Sequence, residues 1–263
     1  MNITQFENLK KWFFAYVAGY YGSDAQANDD IKLKEDHTKR MCQDTIIITR
    51  ELGFSQQQSL LAQAISLLHD TGRFEQYRQY GTYNDEGTVN HSALGLKILA
   101  EQNVLDGLDA SDKNIIEQAI ALHGVKDLPA NLNPDVEPYA RLIRDIDKLD
   151  IFYVMLSRID ELRANPKKCT AIFGYPADDK CSAHIVEAVM QGRTISYREF
   201  KTLNDMILGL LGWIYDINFA ATLKEIKKRG LLEKLASHLP QQNNVQQVCR
   251  HILNIRDSRI AKS

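Results

Sequence analysis

Cysteine is sparse, with four residues among 263, at positions 42, 169, 181 and 249. Their scatter excludes a disulfide framework and points to reduced thiols in a cytoplasmic protein. No Cys-x2-Cys pair occurs. Cys169, Cys181 and His184 lack both the fourth ligand and the close cysteine pair of a zinc site, so they read as structural or surface residues, as do His238 and His251. An excess of one charge is also lacking. With 32 Lys and Arg against 34 Asp and Glu, the net charge is −2, which leaves no basic field to recruit nucleic acid or an anionic membrane. No apolar run is long enough to span a bilayer. The stretch from Trp12 to Tyr21, after Lys10-Lys11, superficially resembles a signal peptide. However, Phe6, Leu9, Phe13, Val17 and Tyr20 keep helical spacing and Glu7 lies upstream, which predicts an amphipathic helix. The six prolines, at 129, 134, 138, 166, 176 and 240, fall between helical patterns. There is no internal repeat and no low-complexity tract.

What remains is a helical pattern around a few polar residues. A hydrophobic content of 44% over this length supports one elaborated domain or two closely packed parts. The expected fold class is all-α. A helix is predicted from Ile31 to Leu52, with Leu33, His37, Met41, Ile48 and Leu52 on its apolar stripe. A second opens at Ser55, where Ser-x-x-Gln to Gln58 signals a capping box, and buries Leu60, Leu61, Ala64, Leu67 and Leu68 until Gly72 stops it. His69 and Asp70 fall in its last turn. Adjacent positions inside a helix point about 100° apart, so two neighbours reach one ion most easily where a helix ends, and the negative end of its dipole favours a cation there.

Further along, a helix places Leu142, Ile146, Leu149 and Tyr153 on one stripe and Ile143, Asp147, Asp150 and Val154 beside it. His91 opens a helix carrying Leu94, Ile98 and Leu99. His123 closes one carrying Ile116, Ala119 and Ile120, with Gly124 as its stop. The segment from Arg73 to Val89 is neither strongly helical nor strand-like in pattern and is expected as part of the pocket wall or a lid. Residues 127–138 link two helices, and 165–177 are the expected junction to a C-terminal helical part. There Ile185, Val189 and Met190, then Phe200 to Ile217, continue the helical period, with Ser196-x-x-Glu199 as a cap for the second of these helices. The chain thus divides into an N-terminal helix packing on the core (1–29), a core (30–164) and a C-terminal extension (178–263) that reads as support or as a homo-oligomer surface.

His37, the pair His69-Asp70, and Asp147 come from three separate segments and have the composition of a divalent-metal site. Imidazole with carboxylate suits Zn, Fe, Mn or Ni, and a buried unpaired carboxylate is costly unless an ion removes that cost. Taken singly, each residue is more readily a hydrogen-bonded core histidine, a helix-end dipeptide or half an ion pair. Their joint order reverses that judgement.

Leu67-Leu68-His69-Asp70-Thr71-Gly72-Arg73, the upstream Lys34-Glu35-Asp36-His37-Thr38-Lys39-Arg40 and the downstream Arg144-Asp145-Ile146-Asp147-Lys148-Leu149-Asp150 together resemble the HD-domain metal-dependent phosphohydrolase superfamily over roughly residues 30 to 155. The resemblance implies an all-helical core and a divalent ion (Mn, Fe, Ni, Zn, Co or Mg) held by His37, His69, Asp70 and Asp147. Asp145 and Asp147 compete for the last position; Ile146-Asp147-Lys148-Leu149 fits the family pattern, which favours Asp147. The resemblance further implies that His91 and His123 either bind a second ion or contact substrate phosphate. The binuclear HD-GYP subgroup fits less well, because Leu122-His123-Gly124 replaces its paired histidines and Gly174-Tyr175-Pro176 is out of place.

Arg73 and Lys148 are the expected phosphate contacts, with a surface ion pair as the alternative for Arg73. Asp70 is the expected orienter or proton acceptor for a water, and His91 and His123 are expected to stabilise phosphate charge or donate to a leaving oxygen. The implied activity is hydrolysis of a phosphate ester of a small metabolite, with a nucleotide as the expected class. The alternatives are hydrolysis of (p)ppGpp or a deoxynucleoside triphosphate, a catalytically silent nucleotide-binding module, and an HD-type di-iron oxygenase.

Overall fold

The computed structural model describes residues 1–164 and 180–263. Among the described residues there are twelve α-helices, two short 3₁₀ turns and no strand. The chain forms two compact units, Met1–Asp147 and Lys148–Ser263.

The first unit contains α1 (Ile3–Ala18), α2 (Ala25–Glu51), α3 (Gln56–Leu68), α4 (Thr71–Tyr80), α5 (His91–Glu101), α6 (Ala110–Leu122) and the start of α7 (Glu137–Ala164). Their beginnings are written locally. Asn2 with Gln5, and Ser55 with Gln58, form capping boxes, while the side chains of Asp24, Asn90 and Asp109 accept from the first turns of α2, α5 and α6. Pro138 lies in the first turn of α7, where a missing N–H costs no helical hydrogen bond. α1 buries Phe6, Leu9, Phe13 and Val17, and the Phe13 ring meets Phe74 of α4 edge-on at 5.9 Å. Between α2 and α3 runs a polar seam, in which Thr45 and Thr49 hydrogen-bond Ser66 and Ser59 at 2.7 and 2.8 Å.

Three expectations are corrected in this unit. Residues 73–89 are not uniformly irregular, because 71–80 form α4 before Gly81 ends it at φ +65°. That helix buries Thr71, Gly72, Phe74 and Gln76, a face too polar and small to give an apolar period. Gly72 is a packing glycine inside α4 and does not stop α3. A Cβ there would lie 2.1 Å from the His91 carbonyl oxygen and 2.6 Å from the Gly95 nitrogen, so its absence lets α4 and α5 touch backbone to backbone. His69 and Asp70 accordingly form the link between α3 and α4, with Asp70 at the N-cap of α4.

The second unit contains the remainder of α7, then α8 (Ala183–Met190), α9 (Leu203–Gly212), α10 (Ala220–Lys228), α11 (Leu231–Ser237) and α12 (Asn243–Ala261). Phe152, Ile185, Ile207, Leu223, Leu232, Val248 and Ile252 lie in its apolar core. Tyr153 leaves its expected stripe and is 49% exposed, with Phe152 buried in its place. The Ser196–Glu199 capping box is formed, but on a 3₁₀ turn (Tyr197–Glu199); Thr202 caps α9. Cys169, the Gly174-Tyr175-Pro176 triplet and the expected 165–177 junction lie outside the described residues. Burial pushes the Cys42 thiol up to about 12 and Cys181 to about 11, which makes both poor nucleophiles. No helix among the described residues is long and apolar enough to cross a membrane.

Candidate metal centre

Each helix of the first unit from α2 onward delivers a polar group to one place. His37 comes from the middle of α2, where the turn below it is fixed by Thr38 donating to the Lys34 carbonyl. His69 and Asp70 come from the α3–α4 link, His91 from the first position of α5, His123 from the C-cap of α6, and Asp147 from α7.

Asp70 is the hub. Its Oδ2 lies 3.7 Å from His37 Nε2 and 3.6 Å from His69 Nε2, while its Oδ1 lies 3.5 Å from His91 Nε2 and 3.9 Å from His123 Nε2. Asp147 Oδ1 adjoins the first pair, 3.4 Å from His37 Nε2. Two buried triads result, His37/His69/Asp70 and Asp70/His91/His123, and each is compact enough to hold a metal ion. Asp147 keeps 23% of its side chain exposed, whereas Asp145 is fully buried.

The chemistry of the imidazoles fits a cation. His69 Nδ1 faces the Ser66 carbonyl at 2.9 Å, His123 Nδ1 the Ile120 carbonyl at 2.7 Å, and His91 Nδ1 the Asp85 carboxylate at 2.7 Å. Each partner is an acceptor, so each Nδ1 carries the proton and each Nε2 turns a lone pair inward. Burial lowers the pKa of all three, His123 to about 4, so the neutral ligand form prevails at physiological pH. The Nε2 atoms of His91 and His123 then face each other at 2.9 Å with two lone pairs and no proton between them. His69 Nε2 is buried with no hydrogen-bond partner. A divalent ion on either side of Asp70 would satisfy these nitrogens.

Asp70 and Asp147 are held in the ionised form. Burial alone would raise Asp70, yet Lys34, His69, Arg73 and His91 hold it well below the usual carboxylate range. Asp147 is lowered against its burial chiefly by His37. Asp70 also stands at the N-terminus of α4, where the helix dipole favours its negative charge; its side chain makes no capping hydrogen bond and is turned to the site.

Arg73 and Lys148 are both engaged by acids. Arg73 Nη1 is 2.6 Å from Asp85 Oδ1 and also reaches the Tyr83 carbonyl and Gln76 Oε1, with its Nε 3.5 Å from Asp70 Oδ1. Its partner is thus Asp85, with the pair partly buried. Lys148 Nζ lies 2.8 Å from Asp216 Oδ2 of the Trp213–Asp216 turn.

Three residues escaped the sequence reading. Lys34 Nζ lies 2.8 Å from Asp70 Oδ2; its i, i+3 relation to His37 on one helix face is the signal that would have found it. Asp85 orients His91 from a loop with no periodic signal. Arg144 donates to the carbonyls of His123, Val125 and Lys126, fixing the turn that follows α6.

The HD domain family model matches residues 35–151, a span that contains His37, the His69-Asp70 pair, His91, His123 and Asp147. No curated protein matches the chain significantly, and no solved structure does so either.

Proposed function

We propose that the chain, whose residues 35–151 match the HD domain model, is a metal-dependent phosphohydrolase that hydrolyses a phosphate ester of a small metabolite, with a nucleotide as the substrate class to test first. The observation that carries this reading is the division of Asp70 between two sets of inward-facing imidazole nitrogens. His37, His69, Asp70 and Asp147 would hold one divalent ion, and Asp70, His91 and His123 a second. Such an ion supplies Lewis acidity, lowering the pKa of a water and drawing charge from a phosphoryl oxygen.

The chain's own groups have distinct tasks. Asp70 holds both ligand sets in register and orients the attacking water. Asp85 fixes the His91 ring through Nδ1, and the Ile120 carbonyl does the same for His123. Because both Nδ1 protons are engaged, neither neutral ring has an Nε2–H to donate to a leaving oxygen. We therefore assign His91 and His123 to ion binding in preference to the general-acid role. Arg73, tied to Asp85 and near Asp70 Oδ1, braces this wall.

Elemental analysis of protein purified without chelator, followed by phosphate release from a panel of nucleotides and phosphomonoesters, tests the proposal. Transition metal in the protein and chelator-sensitive phosphate release are expected; metal-free protein with chelator-insensitive turnover overturns it. The bridged pair of triads also suits two irons and oxygen chemistry. An iron-dependent optical band together with no phosphate release would favour that second reading.

A further inference from the structure

We propose that Lys34 is the residue that receives the substrate's phosphate beside the metal centre, an inference that rests on the phosphohydrolase reading above. Around Asp70 the histidines are buried, while their charged neighbours are partly exposed: Lys34 at 20%, Asp147 at 23%, Arg73 at 16% and Asp85 at 33%. An anion reaching the centre through this edge meets two carboxylates that repel it and two cations. Arg73 Nη1 is already engaged by Asp85, the Tyr83 carbonyl and Gln76. The Lys34 ammonium makes one hydrogen bond, to Asp70 Oδ2, so two of its three N–H donors remain for a ligand.

Its position is held from below as well. The ammonium lies 5.5 Å over the Tyr83 ring, and the Tyr83 hydroxyl is anchored on the Asp30 carbonyl at 2.8 Å, one helical turn before Lys34 on α2. A phosphoryl oxygen bound at Lys34 would therefore sit next to the carboxylate oxygen that faces His37 and His69. That is the arrangement a charge-assisted contact to a reacting phosphate requires.

The test measures binding of inorganic phosphate to the Mn²⁺-loaded protein by calorimetry, with metal content determined in parallel, for wild type, Lys34→Met and Lys34→Arg. Lys34→Met should keep the wild-type metal stoichiometry and raise the phosphate Kd at least tenfold, about 1.4 kcal/mol. Lys34→Arg, which retains the charge, should recover part of that loss. Unchanged phosphate affinity in metal-replete Lys34→Met overturns the inference. Loss of metal from Lys34→Met overturns it too, by showing that the ammonium serves Asp70 alone. A wild type that holds no metal fails the phosphohydrolase reading itself, and is distinguished from the other outcomes by the metal assay.

Discussion

Asp85 belongs to neither candidate ligand set and still fixes a member of one, because its Oδ2 accepts a hydrogen bond from His91 Nδ1–H at 2.7 Å while its Oδ1 holds Arg73 and Gln76. Outer partners of this kind typically contribute ten- to a hundredfold in metal affinity or activity. Asp85→Asn should therefore weaken metal binding by about that factor with helix content intact, as read by chelator competition and circular dichroism. The two acids of α7 should separate by readout. Asp147→Asn should lower bound metal, whereas Asp145→Asn, at a fully buried position, should lower the melting temperature more than the metal content. Equal metal loss in both would return Asp145 to the ligand set.

His123 links the site to pH. Its folded pKa, depressed by burial to about 4, lies below the unfolded histidine value of about 6.5. Between these values the unfolded chain binds more protons than the folded one. The contribution is thus fully present above about pH 6.5 and is lost as the pH falls toward 4. Chelated protein should melt at progressively lower temperature across that window, and a flat profile from pH 7.5 to 5 would contradict the buried neutral imidazole.

At the level of elements, the contact of α4 on α5 depends on Gly72 and Gly95, which meet backbone to backbone. Gly72→Ala drives a methyl to 2.1 Å from the His91 carbonyl oxygen, so the backbone that opens α5 must move. A cost of about 1–3 kcal/mol is expected, together with weaker metal binding. Gly124→Ala meets only an ordinary 3.6 Å contact with His91 Cε1 and should be mild, which makes thermal melts of the pair a controlled comparison. The same elements show what was legible in the sequence. Ser55 and Gln58, the opening of α5 at His91 and the close of α6 at His123 were readable because caps and periods are local. α4 was not, because its buried face is polar or bare: Thr71 bonds back to the Leu68 carbonyl, Gly72 meets α5, and Gln76 reaches Thr88 and Val89 in the following loop. Asp85 and Arg144 were invisible for the same reason, since their partners exist only in the tertiary structure.

On the scale of the whole molecule, the clusters with metal-ligand chemistry among the described residues belong to Met1–Asp147, while Lys148–Ser263 presents an apolar core and polar contacts such as His238 Nε2 with Asp160 Oδ1 at 3.1 Å. An ion that binds only the folded first unit stabilises it by mass action, about 2.7 kcal/mol at a hundred times Kd. The melting temperature should therefore climb with added Mn²⁺ or Zn²⁺ in wild type and stay level in Asp70→Ala, as differential scanning fluorimetry would record.

Arg144 and Asp147 share a face of α7, three residues apart, and Arg144 grips the carbonyls from His123 to Lys126. One helix thus anchors the turn behind His123 and carries Asp147, two residues that stand on opposite sides of Asp70. The chain between them is unequally tolerant of length: an extra residue among 128–132, a surface connection, lengthens a loop whose two ends are already pinned. One inserted between Arg144 and Asp147 turns the carboxylate about 100° away from the guanidinium's face. Insertion scanning should find the first variant metal-replete and the second metal-poor.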